Sequence, residues 1–226
     1  MKIRKILKRK LDGTIWGSLR STEPVSKVFG LDRGLPVDRY YIEKFLSENS
    51  GLIKGKVLEI SEDTYSKKFG INIETIDILH YDKSSKKATL IGDLTKPESL
   101  SQNKFDCFIC TQTLNFIYDI NSAISGIKHL LKPNGSALIT MAGICQISRY
   151  DMDRWGDYWR FTTGSATKLF SEHFGGHNIT VKSYGNILSA ISLLEGIAAE
   201  ELLLQELDKN DNNYQVVITV IAKKGK

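Results

Sequence analysis

The sequence predicts a doubly wound α/β sheet, and two observations carry that expectation. Short β-rich runs alternate with helix-like segments along most of the chain, as in parallel sheets whose strands are joined by crossover helices. Acidic or polar residues also stand at the ends of several of those runs, where open α/β sheets bind their ligands. With 226 residues, 41% hydrophobic and 25% charged, the chain can bury a real core as one domain. No apolar run of about 18 residues is available to cross a bilayer, and no apolar stretch with a small-residue cleavage site follows the N-terminus. A soluble, cytoplasmic protein is expected.

The elements follow in order. Residues 1–20 hold seven Lys/Arg against Asp12, so this end carries +6 of a net charge of +5 and leaves −1 for the rest. "MKIRKILKRKL" spaces Ile3, Ile6, Leu7 and Leu11 as a basic amphipathic helix would, which is either a solvated terminal helix or a contact for anionic membrane or an acidic partner. No aromatic-studded basic surface continues beyond it, so nucleic acid is not expected. We divide the chain into this extension (1–30) and a domain (31–226) that opens with a cap helix over 38–48, N-capped by Asp38. Strands are expected at 56–60, 72–79, 88–94, 105–112 and 136–143, and an amphipathic helix at 122–135 that stops at Pro133 and the Asn134-Gly135 turn. A helix at 164–175, a strand at 179–185, one long helix at 186–208 and a final strand at 214–224 complete the reading.

Three cysteines are too few for a disulfide framework and fit a reducing compartment. Cys107 and Cys110 do match C-x-x-C, but they sit in a strand, where residues three apart point to opposite faces. No metal site is expected.

The strand ends carry the functional signal. Glu59 ends the first strand, Asp77 the second and Asp93, followed by Leu94, the third, while Gln112 follows the fourth. A carboxylate at the second position can grip both ribose hydroxyls, and one at the third can accept from an adenine amine. Strand-end acids are also common simply because they are solvated and close to helix N-termini. Taken in register, the four suit an adenosine-containing ligand.

The order "VLEI", Asp77, "GDL", "FDCFICTQTLNFIYD" and "LLKPNG" followed by an apolar strand resembles the class I S-adenosylmethionine-dependent methyltransferases from about Gly55 to Lys223. The longer phrases "PVSKVFGLDRGLPVDRYYIEKFL", "TQTLNFIYD", "RWGDYWRFT" and "YGNILSAISLLEGIAAEEL" resemble a bacterial methyltransferase-like group that often accompanies glycan biosynthesis. The resemblance implies a Rossmann-like sheet of seven strands, mostly parallel with the last antiparallel, and S-adenosyl-L-methionine as cofactor.

One stretch departs from that family. Where the class has a Glu followed by alternating glycines, this chain reads "EISEDTY" and has no glycine before Gly70. S-adenosylmethionine has no pyrophosphate to cradle, so small Ser61 can stand in the loop while Tyr65 closes over the methionine moiety. Arg39 in the cap helix can pair in fork geometry with the cofactor carboxylate, with Tyr40 as a second donor. The plainer alternative is that Arg39 pairs with Glu43 and Tyr40 packs in the core.

Acceptor chemistry is expected from the long stretch 142–165, rich in Trp, Tyr, Arg and Asp. Tyr150, Trp155, Tyr158 and Trp159 offer faces for a polar ring, Arg160 offers charge, and Asp157 is the first candidate base, with Asp151 and Asp153 close behind. The alternative is a structural clasp in which Arg160 pairs with Asp157. His80 is the one histidine near the expected cleft. The function expected is methylation of a hydroxyl on a small-molecule, sugar or glycan-like acceptor. The rivals are an inactive scaffold of the same fold and an adenosyl-cofactor enzyme that transfers another group.

Overall fold

A computed structural model of the protein describes residues 20–226. The basic stretch read as a terminal amphipathic helix, residues 1–11, lies outside the described residues. Among them, no helix is long and apolar enough to cross a membrane.

Seven strands form one sheet in the order β3-β2-β1-β4-β5-β7-β6. They are β1 (Gly55–Ile60), β2 (Ile73–His80), β3 (Leu90–Ile91), β4 (Phe105–Thr111), β5 (Leu131–Ala142), β6 (Ile179–Tyr184) and β7 (Val217–Lys223). The first five run parallel, and β7 lies antiparallel between β5 and β6. The expected doubly wound sheet with an antiparallel last strand is therefore present.

The helices are α1 (Val37–Glu48), α2 (Thr64–Phe69), α3 (Ile120–Leu130), α4 (Arg149–Met152), α5 (Thr163–Phe174), α6 (Ile187–Glu195) and α7 (Leu204–Asp208). Period-two alternation sorts the strand side chains between two cores. Leu58, Phe108 and Cys110 face α3 and α5, while Val57, Cys107 and Ile109 face α1 and α6. The two C-x-x-C thiols thus lie on opposite faces, and burial pushes each up to about 12. On α3 the buried positions Ile120, Ala123, Ile124, Ile127 and Leu130 follow helical spacing, and the Asp119 carboxylate caps the helix by accepting from Ser122 N at 3.0 Å. Truncating a fully buried ring such as Phe108 to alanine would cost about 3–5 kcal/mol.

Several boundaries differ from the sequence reading. The third strand, expected at 88–94, is Leu90–Ile91 alone, so Asp93 lies in the turn after it and does not end it. The cap helix starts at Val37 behind Pro36, so Asp38 lies inside its first turn and is not the cap. The helix expected at 122–135 ends at Leu130, because Leu131 already pairs with Phe105 in the sheet and the ladder resumes at Ser136 beyond Pro133 and positive-φ Asn134.

The long helix expected at 186–208 is broken, since Gly196 at φ 70° closes α6 with Ile197 N bonded to Ser192 O. The freed segment is used elsewhere. Ala198 bridges Pro36, Ala199 N donates to Leu35 O at 2.7 Å, and the Arg33 guanidinium grips both carboxylate oxygens of Glu201. Residues 26–36 thereby lie as a strap along α6 and the break. A Cβ on Gly30 would stand 2.9 Å from Gly196 O, so the close approach requires glycine there.

Candidate active site

A cleft of about 790 Å³ opens beyond the carboxyl ends of β1, β2, β4 and β5, roofed by the loop that leads into α4 and on to Phe161. Its size fits the range for small-molecule sites and leaves room for an adenosyl cofactor beside a second ligand.

The floor is built by the glycine-poor stretch. β1 ends in Glu59, which is 3% exposed and turns its carboxylate onto the start of α2, accepting from Tyr65 N at 3.0 Å and Ser66 N at 2.7 Å. Burial pushes this carboxyl above its usual range, against the pull of the Ser66 and Tyr65 hydrogen bonds. Glu59 thus holds the loop and its oxygens are already engaged there.

Ser61 adopts φ 66°, the left-handed conformation that a glycine would take, and its N–H is bonded to Leu79 O at 2.9 Å. The loop therefore has a glycine-like bend without a glycine. Tyr65 is buried beneath it, and its hydroxyl accepts from Arg39 Nη1 at 3.0 Å. Desolvation opposes the charge on Arg39, but Tyr65, Asp38 and Glu62 outweigh it and hold the guanidinium cationic.

Further along the cleft, Asp93 and Leu94 follow β3, and Gln112 follows β4 at φ 46°. Asp93 Oδ1 accepts from Thr95 N and Thr95 Oγ1 at 2.9 and 2.7 Å, which sets the turn. Leu94 is buried against α3, where a Cβ on Gly126 would meet Leu94 O at 2.0 Å. That contact keeps the Leu94 main chain fixed over the helix.

Five expected site residues lie outside the cleft. Asp77 does not end β2; the strand continues to His80, and Asp77 is taken by Thr89 Oγ1 at 2.7 Å and Lys104 Nζ at 2.9 Å. Those partners outweigh desolvation and lower its pKa. His80 and Tyr81 occupy the place that Asp77 was expected to fill. Tyr40 turns to the far side of α1 and donates to Asp208 at 2.7 Å. Asp153 is exposed and pairs with Arg149 at 3.2 Å. Tyr150 points outward beneath Arg154, whose guanidinium carbon lies 3.5 Å from the ring centroid. Trp159 stacks on Tyr118 and donates its indole N–H to Ile117 O at 3.1 Å.

Trp155, Asp157, Tyr158 and Arg160 do line the roof. Asp157, however, is no free base. Its carboxylate has 1% exposure and is gripped by both Arg160 terminal nitrogens at 2.6 and 2.8 Å, with Ser148 N at 3.2 Å. Burial would raise its pKa, but Arg160, Ser148 and Asn115 outweigh that and hold it below the usual carboxylate range. Arg160 also donates to Gln146 O at 2.8 Å, so the two residues form the clasp that shapes the roof. Asp151 keeps a carboxylate on the cleft, bonded to Ser148 Oγ.

Asn115 was not singled out by its type. It sits in "TQTLNFIYD" within a single 3-10 turn after β4, is 4% exposed, lines the cleft, and has a side-chain oxygen without a partner. Its signal is an unmet hydrogen bond, which only the folded chain reveals.

Fold and cleft together define an α/β protein of the Rossmann-like methyltransferase architecture. Residues 50–139 match the profile of a family described as a methyltransferase domain. A SAM-dependent methyltransferase from Archaeoglobus fulgidus is similar over 98% of this chain and 99% of its own, at 11% identity and a TM-score of 0.52. An S-adenosylmethionine-dependent methyltransferase from Mesorhizobium loti is similar over 86% of this chain and 100% of its own, at 14% identity and a TM-score of 0.52. The [4+2]-cyclase SpnF is similar over 99% of this chain and 95% of its own, at 14% identity and a TM-score of 0.53. At such identities the solved structures establish the fold. No curated protein sequence matches the chain. The family match falls on the part of the chain that carries β1 to β4 and most of β5.

The chemistry of the lining suits S-adenosylmethionine, the cofactor named for two of those solved structures. Arg39 sets a cation at the cleft, Ser61 has the bend that a glycine would take, and Asp93 sets an acceptor just past the third strand, the groups that a carboxylate, a close backbone approach and an amine would need.

Proposed function

We propose that the protein transfers a methyl group from S-adenosylmethionine to a hydroxyl of a sugar or glycan-like acceptor. The observation that carries this reading is the cleft roof, where the rings of Trp155 and Tyr158 line the cleft together with Asp151. Aromatic faces with flanking polar groups suit a polar ring that has one apolar face.

When bound, the cofactor supplies an electrophilic methyl on a sulfonium. The chain's own residues do the rest. Arg39 neutralises the carboxylate and Tyr65 sets the orientation of Arg39, which holds the donor in place. The Asp157–Arg160 clasp keeps the roof closed against water. Asp151 takes the proton from the attacking hydroxyl and passes it to solvent, a contribution worth about 10² to 10⁴ in rate.

The test is incubation with S-adenosylmethionine labelled at the methyl and a panel of glycosides, followed by mass spectrometry for a gain of one methyl. A panel that stays unmodified rejects the acceptor class. A second reading, an inactive scaffold of this fold, is favoured by the absence of glycine between Gly55 and Gly70. Calorimetric titration decides it, because a scaffold would bind neither S-adenosylmethionine nor S-adenosylhomocysteine. Contact of the basic residues 1–20 with anionic membrane belongs to the same proposal, and flotation with phosphatidylglycerol vesicles tests it.

A further inference from the structure

The side-chain oxygen of Asn115, on the lining of the cleft, is buried without a partner. The side chain lies at the junction of cleft and roof, since its main-chain carbonyl accepts from Tyr158 N at 2.8 Å and Trp159 N at 3.3 Å. The amide orientation follows from its neighbour. Asp157 is ionised and can only accept, so the Asn115 group facing it is the NH₂, and Oδ1 points elsewhere. That oxygen is buried and has no donor within reach, among described residues the one buried side-chain atom in this condition. Proteins rarely leave such an atom unsatisfied, because the lost hydration is not returned by any bond.

We propose that Asn115 is the acceptor-recognition residue, with Oδ1 receiving a hydrogen bond from a hydroxyl of the acceptor. This rests on the glycoside reading above and deepens it. The position agrees with the chemistry. Asn115 follows β4 and packs toward β5, on the roof side of the cleft, whereas Arg39, Ser61 and Tyr65 gather at the end of β1. The roof is bonded to Asn115 itself through Tyr158 N, so an acceptor held beneath Tyr158 would lie against this residue. A site that hydrogen-bonds a substrate hydroxyl rejects analogues lacking it far more strongly than an apolar pocket rejects a size change, since the buried partner is then left empty.

The experiment uses the full chain, labelled S-adenosylmethionine, and methyl gluco-, manno- and galactopyranosides with their monodeoxy counterparts. Asn115→Leu keeps the volume and removes the oxygen, and should raise KM for the methylated glycoside at least tenfold. Asn115→Asp keeps an oxygen at that place and should stay within a few fold in KM, though its charge beside Asp157 lowers the melting temperature. One monodeoxy glycoside should be a poor substrate for the wild type and no worse for Asn115→Leu. If Asn115 serves only to hold Asp157, the order reverses, with Asn115→Asp the more damaged in turnover. Equal KM for wild type and Asn115→Leu on an accepted glycoside overturns this inference alone. Failure of the wild type to methylate any glycoside overturns the acceptor class and this inference with it.

Discussion

Arg39 and Tyr65 are joined across the end of the cleft, guanidinium to phenol at 3.0 Å, and this bond ties α1 to α2. It places a cation over the loop that lacks glycines. Glu43, the helical partner that would have neutralised Arg39, is instead paired with Lys68 at 2.7 Å.

Arg39→Ala should therefore weaken S-adenosylmethionine binding by about 1.5–3 kcal/mol, the range for hydrogen bonds to a charged group. Adenosine, which has no carboxylate, should bind both proteins alike. Calorimetry with the two ligands separates this from a loss of fold, which would weaken both.

Ser61 holds a left-handed backbone that costs a non-glycine residue about 1–2 kcal/mol. Ser61→Gly should raise stability by up to about 1 kcal/mol after the entropic cost of glycine, whereas Ser61→Val should lower it. Urea unfolding gives both numbers, and a less stable glycine variant would mean that the serine side chain has a bonding role.

Asp77→Ala should leave cofactor affinity unchanged, because its carboxylate is spent on Thr89 and Lys104 outside the cleft. The cost should appear in stability. A tenfold loss of S-adenosylmethionine affinity in a folded variant would return Asp77 to the ribose.

Asp157→Asn should destabilise the protein by about 1–3 kcal/mol at pH 7 by undoing the fork to Arg160. The sign of the pH dependence follows from the lowered pKa. The ionised pair is fully present above the ordinary carboxylate value of about 4, and its contribution is lost as pH falls through the lower folded value. The gap between wild type and variant should narrow below about pH 4 in acid unfolding followed by tryptophan fluorescence. An unchanged gap would place the contribution of Asp157 in its shape and not its charge.

The alternation of strands and helices was legible because buried strands and amphipathic helices write different periods into the chain, and Pro133 and Gly135 punctuate them. What the periods do not mark is where a strand stops. β2 reads as apolar alternation to its end, so Asp77 looked terminal when the strand ran three residues further, and its true partner Lys104 is distant in sequence. Gly196 sits within an apolar helical pattern, and only the strap from residues 26–36 explains why the chain turns there. Trp155 and Trp159 are equivalent by composition, yet one lines the cleft and the other stacks on Tyr118, a choice made by tertiary contacts. The Asp157–Arg160 pair was visible as an i, i+3 spacing, but whether it faced a substrate or itself depended on the fork geometry.

The insertion of β7 between β5 and β6 sets an order on assembly. Seven residue pairs join β5 to β7, from Ser136 with Lys223 to Ala142 with Val217. A nascent chain that has emerged through β6 therefore carries an open, apolar edge along β5, a template for pairing with another molecule. The edge stays open until residues 217–223 have joined it, so a truncated product lacking them should be the form that aggregates and recruits chaperones.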